Sequence, residues 1–111
     1  MLVPKLFRWI FFRKKSVKTT FDALRNPETI YIDTSSHLGE TTKTFEGSRR
    51  LGDSDINSFA QETDKDHPII LFGNNKSNID RIHNQLEKVG FQKVFNVGSV
   101  EELIKIKEEL K

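Results

Sequence analysis

A polar loop follows the most apolar run in the chain and offers groups that could bind a ligand. The run Pro68–Phe72 leads into Gly73, Asn74, Asn75, Lys76, Ser77 and Asn78, and helical spacing of apolar residues starts at Ile79. A strand–loop–helix junction directs backbone N–H groups at one spot beside the positive end of the helix dipole. Glycine and asparagine tolerate the positive φ that an anion nest requires. The loop therefore predicts a small-anion or small-ligand site, whereas the alternative is a turn in which Asn and Ser side chains cap the helix.

Other reactive chemistry is scarce in the sequence. The chain has no cysteine among its 111 residues and one methionine, which excludes disulfides, thiolate metal sites and cysteine nucleophiles. The histidines His37, His67 and His83 lack metal-site spacing, and we expect His83 to face solvent. Asp33, at the end of an apolar run, is predicted to accept hydrogen bonds from loop amides. No nucleotide-binding glycine pattern is present, so we expect neither a cofactor nor a metal.

The first 18 residues form a basic and aromatic arm. They contain six Lys and Arg residues and no acidic residue, so the rest of the chain carries a net charge of −4. A transmembrane span needs about 20 predominantly apolar residues, and this run is about half that length; no small-residue cleavage site of a signal peptide follows it. A helix after Pro4 would instead suit an anionic membrane surface. The predicted membrane contacts are Leu6, Phe7, Trp9, Ile10, Phe11, Arg13, Lys14 and Lys15.

Two other interpretations of the arm stay open. Its apolar side could pack on the rest of the protein as an ordinary first helix and leave the charges in water. Its cations could also contact nucleic acid, but a basic run without a recognition module gives that reading little support.

The rest of the chain alternates between strand and helix patterns. Ile30–Asp33, Pro68–Phe72 and Val94–Val97 read as strands, with helical spacing between them and a last helix capped by Ser99. Strands separated by helices predict an α/β domain with a mainly parallel sheet and helices on both faces. We predict one domain over residues 19–111, preceded by the arm over residues 1–18.

This pattern resembles the single-domain rhodaneses from Thr20 to Ile106. The resemblance is carried by Ile30-Tyr-Ile-Asp33, the turn Gly47-Ser48, the helix leading to Gly90-Phe91, and the strand Val94-Phe-Asn-Val-Gly98. In that family the central strand runs into a six-residue loop that begins with the catalytic cysteine and ends with arginine. Counting back from Gly90 places Gly73 where the cysteine belongs and Asn78 where the arginine belongs.

The resemblance implies a rhodanese-like fold that has lost its sulfurtransferase chemistry. We expect a catalytically inactive binding or scaffolding module, monomeric and cytoplasmic, and held at a membrane surface if the arm binds lipid. Its partner would be another protein or a small anion. The alternatives are a sulfurtransferase-related or weak hydrolytic enzyme that uses the residual loop, and nucleic-acid binding through the basic arm.

Overall fold

The computed structural model describes residues 17–35 and 45–110. The arm before Val17 and the segment 36–44, which includes His37, lie outside the described residues, and so do all the predicted membrane contacts. Helix α1 begins at Val17, two residues before the predicted start of the domain. The described elements are α1 (Val17–Arg25), β1 (Ile30–Asp33), β2 (Arg49–Arg50), a 3-10 turn (Asp53–Asp55), α2 (Ile56–Glu62), β3 (Ile69–Phe72), α3 (Lys76–Lys88), β4 (Val94–Gly98) and α4 (Val100–Glu109).

The four strands of the described chain form one parallel sheet in the order β2-β1-β3-β4. β3 lies in the middle, pairs with both β1 and β4, and is fully buried. Its continuous apolar sequence is typical of a parallel strand that is covered on both faces. The predicted α/β class and parallel sheet are therefore confirmed.

Helices cover both faces of the sheet, and each face has its own apolar core. Alternate residues of β3 point to opposite sides, so Ile69 and Leu71 enter one core while Ile70 and Phe72 enter the other. The first core also contains buried residues of α2 and α3, and the second contains buried residues of α1 and α4.

Polar contacts on the surface fix the position of α3. Arg81 Nε and Gln85 Nε2 donate to Asp53 Oδ1 at 3.0 and 2.9 Å, and so tie the helix to the 3-10 turn. The hydrogen bond from Arg81, followed by that from Gln85, holds the pKa of Asp53 below its ordinary value. After the C-terminus of α3 the chain turns at Gly90, whose φ of +114° is the left-handed conformation that often ends a helix.

Candidate functional site

The carboxyl ends of β1, β3 and β4 meet at one edge of the sheet, where the Gly73–Asn78 loop begins. The Gly73 amide donates to the carbonyl of Gly98 at 2.8 Å, and the Thr34 amide donates to the carbonyl of Phe72 at 2.9 Å. These bonds continue the parallel pairing one step past the strands. The first residue of the loop is therefore held rigidly between the chain segments that follow β1 and β4.

The space beside Gly73 is filled by Thr34. A Cβ atom at position 73 would collide with Thr34 Oγ1, and would also lie 3.5 Å from the Ser35 amide and 3.6 Å from Ile79 Cγ1. Thr34 is 5% exposed, and its hydroxyl donates to the carbonyl of Phe72 at 3.0 Å. Any side chain at position 73 must therefore displace a hydrogen-bonded hydroxyl.

The loop caps the N-terminus of α3 with one of its own side chains. Asn75 is the N-cap, and its Oδ1 accepts hydrogen bonds from the amides of Ser77 at 2.8 Å and Asn78 at 3.2 Å. Neither Gly73 nor Asn75 adopts a positive φ. The Asn75 carboxamide thus occupies the place at which an anion would meet the first turn of the helix.

The four middle residues of the loop are exposed, and its two end residues are not. Asn74, Asn75, Lys76 and Ser77 are exposed, Asn78 is half-buried, and Gly73 is buried. Lys76 Nζ contacts Asp80 Oδ2 at 2.9 Å, one helical turn along α3. The ammonium group of the loop is therefore paired on its own helix.

Asp33 supports the loop that follows β1. The residue is 7% exposed, and its Oδ1 accepts the Ser35 amide at 2.8 Å as the sequence predicted. Arg50 Nη2 lies 3.6 Å from Oδ2, at the end of the neighbouring strand β2. The charge of Asp33 is thus balanced within the sheet edge.

An open cleft runs along this edge between the loop and the start of α4. One part, of about 110 Å³, is lined by Asp33, Ser35, Phe72, Gly73, Asn74, Ser99, Val100 and Glu101. The adjoining part is lined by Gly73, Asn74, Asn75, Lys76, Ile79, Gly98, Ser99 and Glu102. The structure thus brings Gly73–Lys76 together in one concave surface, and it adds carboxylates from β1 and α4 that the loop sequence does not reveal.

His83 lies in the interior, so the prediction that it faces solvent is wrong. Its residue exposure is 2%, and its ring contacts Asn96 on β4 and Glu87 on α3. His83 lies four residues after the apolar Ile79 and directly after the buried Ile82, and therefore falls on the buried stripe of α3. The asparagine within an otherwise apolar strand was the signal for a polar partner there.

Among residues 17–35 and 45–110, no group of three or more His, Cys, Asp or Glu side chains is arranged to hold a metal ion. None of the helices in those ranges is both long and apolar enough to cross a membrane.

Two solved structures share the fold of this chain. One is a crystal structure of the Alr3790 protein from Anabaena sp., with a TM-score of 0.65 at 16% identity over 79% of this chain and 84% of that one. The other is the X-ray structure of the rhodanese-like domain of Alr3790, with a TM-score of 0.57 at 16% identity over 83% of this chain and 91% of that one. The rhodanese-like fold predicted from the sequence is thereby confirmed. No protein-family model and no curated protein matches the sequence.

Proposed function

We propose that this chain is a rhodanese-like domain without catalytic activity that serves as a binding or scaffolding module. The observation that carries the proposal is the contact between Thr34 and Gly73. Gly73, which stands at the position of the nucleophile in the rhodaneses that the sequence resembles, has no side chain. The space for one is occupied by the Thr34 hydroxyl, which has its own hydrogen-bond partner. The loss of chemistry is thus supported by the packing around the loop as well as by the residue type.

Both reactions associated with such a loop need groups that this chain lacks. Sulfur transfer needs a thiolate that carries sulfane sulfur as a persulfide, and the sequence contains no cysteine. Phosphoryl chemistry on the same loop needs that thiolate and a guanidinium to hold the phosphate oxygens. Asn78 offers an uncharged amide at the corresponding place.

The proposed ligand site is the Gly73–Asn78 loop with the cleft beside it. Exposed amide, hydroxyl and ammonium groups on four consecutive residues suit a small anion or the polar surface of a partner protein. An anion at the start of α3 would replace or join the Asn75 carboxamide on the amides of Ser77 and Asn78. Binding is therefore expected to be weak, because the cap already satisfies those two donors.

Sulfate titration followed by amide NMR tests the ligand site. At constant ionic strength with chloride, we expect millimolar sulfate to shift the amides from Asn74 to Asn78. The amides from Ile56 to Phe59 at the start of α2, which do not line the cleft, are the internal control and should stay fixed. Lys76→Gln should weaken the effect. Absence of any shift, or equal shifts at both helix starts, contradicts a specific anion site in this loop.

We further propose that the arm holds the domain at the cytoplasmic surface of a membrane. The support is its sequence: aromatic residues alternate with cations, and each cation near anionic lipid contributes on the order of 1 kcal/mol. Flotation of the full chain with anionic and neutral vesicles is the test. The protein should float with anionic vesicles, and the full-length Arg13→Glu/Lys14→Glu/Lys15→Glu variant should stay in the unbound bottom fraction. Equal recovery of both proteins, or no flotation at all, contradicts lipid binding by the arm.

A further inference from the structure

A second concave surface, a groove of about 270 Å³, runs along one side of α1. Its first wall is a stripe of residues three to four positions apart on that helix and just beyond its end: Thr19, Asp22, Ala23 and Asn26. Its second wall comes from the amino ends of β3 and of β4, the edge strand of the described sheet, and consists of Pro68, Lys93 and Phe95. The groove shares no lining residue with the cleft beside Gly73.

The groove has an apolar floor and a polar rim. The three apolar lining residues, Ala23, Pro68 and Phe95, are buried. The four polar lining residues, Thr19, Asp22, Asn26 and Lys93, are exposed. A surface of this kind suits an amphipathic segment, whose apolar side chains contact the floor while its charges stay in water beside the rim.

A segment with these properties is attached at the end of the groove. Residues 1–16 precede α1, and Thr19, the third residue of that helix, already lines the groove. The run Leu6–Phe12 contains six large apolar side chains and one arginine. Soluble proteins rarely leave such an apolar patch in water. Because a short tether gives an effective concentration on the order of millimolar, the arm is favoured over a separate protein as the occupant.

The charge distribution also favours the arm. Its six cations face a domain whose net charge is −4, and opposite net charges attract over distances longer than a contact. Among the lining residues, Asp22 is the only anion and Lys93 the only cation. The attraction therefore comes from the domain as a whole, and the apolar floor determines where the arm docks.

We propose that this groove receives the apolar side of the arm when no membrane is present. The same side chains cannot contact the groove and a lipid surface at once, so docking and membrane binding exclude each other. Anionic lipid must then release the arm from the groove before it can bind it. Docking is independent of the membrane role proposed above, whereas the exclusion rests on that role.

Fluorescence quenching tests the docking, because Trp9 is the only tryptophan of the chain and reports on the arm. In lipid-free solution, acrylamide should quench Trp9 less in the full chain than after unfolding in urea. Asp22→Phe and Lys93→Phe fill the groove from opposite walls, and each should raise the quenching constant at least twofold. Ser58→Phe adds the same ring at an exposed position of α2 and should leave it unchanged.

Three results overturn the docking. They are quenching of the unmodified chain at its unfolded level, protection of Trp9 that disappears on dilution, and equal quenching in Ser58→Phe and both groove variants. Amide spectra of α3 show which variants keep the fold, and the two groove variants substitute for each other if one does not.

Vesicle flotation of the same full-length proteins tests the exclusion. Without the competing groove, Asp22→Phe and Lys93→Phe should float at least at twofold lower concentrations of anionic lipid than the unmodified chain and Ser58→Phe. The two groove variants change the net charge in opposite directions, so a common gain is not an effect of charge. Equal lipid requirements in all four proteins overturn the exclusion. Flotation of none contradicts the membrane role, and Trp9 quenching then decides the docking alone.

Discussion

Helices α3 and α4 begin at the same edge of the sheet, after adjacent parallel strands, yet their starts are built differently. Three residues separate β3 from α3, and the cap is Asn75 acting alone. One residue separates β4 from α4: Ser99 accepts the Glu102 amide at 3.1 Å, and Glu102 Oε1 accepts the Ser99 amide at 3.0 Å. The α4 start is thus closed by a reciprocal capping box that carries a carboxylate, whereas the α3 start is closed by one neutral side chain.

The two junctions also use glycine for different physical reasons. Gly98 has a φ of +121°, and a Cβ there would lie 2.5 Å from Glu102 Oε1. Gly73 has no positive φ, and a Cβ there would meet the Thr34 hydroxyl. The β4 junction needs glycine for its backbone conformation, whereas the β3 junction needs it because a neighbouring side chain occupies the space.

The largest effect is expected from Gly98→Ala. A left-handed backbone conformation costs about 1–3 kcal/mol for a residue with a Cβ, and here the collision with Glu102 adds to it. Gly47→Ala is the matched control, because Gly47 also has a positive φ of +87° but nothing within 4 Å of its would-be Cβ. Denaturant unfolding should show a greater loss of stability in Gly98→Ala. Equal losses in the two variants would mean that the capping box does not constrain this position.

Gly73→Ala should follow in size, and its cost should depend on Thr34. Overpacking of this kind costs about 1–3 kcal/mol. Thr34→Ala alone loses a hydrogen bond of about 1 kcal/mol. The double variant should be more stable than the two separate losses predict by at least about 0.5 kcal/mol. Thr34→Ser is the control, since it keeps the colliding oxygen and should give no such rescue; strict additivity in the alanine cycle contradicts the contact.

The next largest effects are expected from the two N-cap residues, and the two junctions should differ in their response to sulfate. Asn75→Ala and Ser99→Ala should each lose about 1 kcal/mol of stability. Sulfate should restore stability to Asn75→Ala, because it can take up the freed amides of Ser77 and Asn78. It should not restore Ser99→Ala, where the carboxylates of Glu101 and Glu102 repel an anion. Thermal melts with and without sulfate measure the difference, and rescue of both variants would remove the distinction between the two starts.

The smallest effect concerns Asp53, which anchors α3 from the side. Its pKa is lower in the folded protein than the ordinary value of 3.8, so its contribution is present above that value and is lost as the pH falls through the lowered one. The side chains of Asp53 and Arg81 are about half exposed, so the contribution is less than about 1 kcal/mol. Asp53→Asn should therefore slightly reduce the loss of unfolding free energy at acidic pH. An unchanged pH dependence would mean that the Asp53–Arg81 pair adds nothing to stability.

The sequence sufficed for the fold because the fold depends on local patterns. The apolar run of β3, the helical spacing that ends at Gly90 and the Ser99 cap of the last helix each specify an element within a few residues, and each was predicted. Parallel pairing then follows from the alternation of strands and helices.

The contacts that shape the candidate site were not all predicted, because some of them join residues that are distant in sequence. Thr34 and Gly73 are 39 positions apart, and no local pattern reports that one fills the space of the other. The burial of His83 was different in kind: its helical spacing from Ile79 and the lone asparagine in β4 were both visible in the sequence. A polar residue at a core position of a helix should be matched against polar residues in the strands it packs on.

The most direct test of the central claim is the thiosulfate–cyanide sulfurtransferase assay on the unmodified chain. The closed space at Gly73 and the absence of any thiol predict no thiocyanate formation above that of a heat-denatured sample of the same protein. Turnover that is proportional to protein concentration and abolished by denaturation would contradict the account, because the sulfur would then be carried by a group other than a thiolate in this loop.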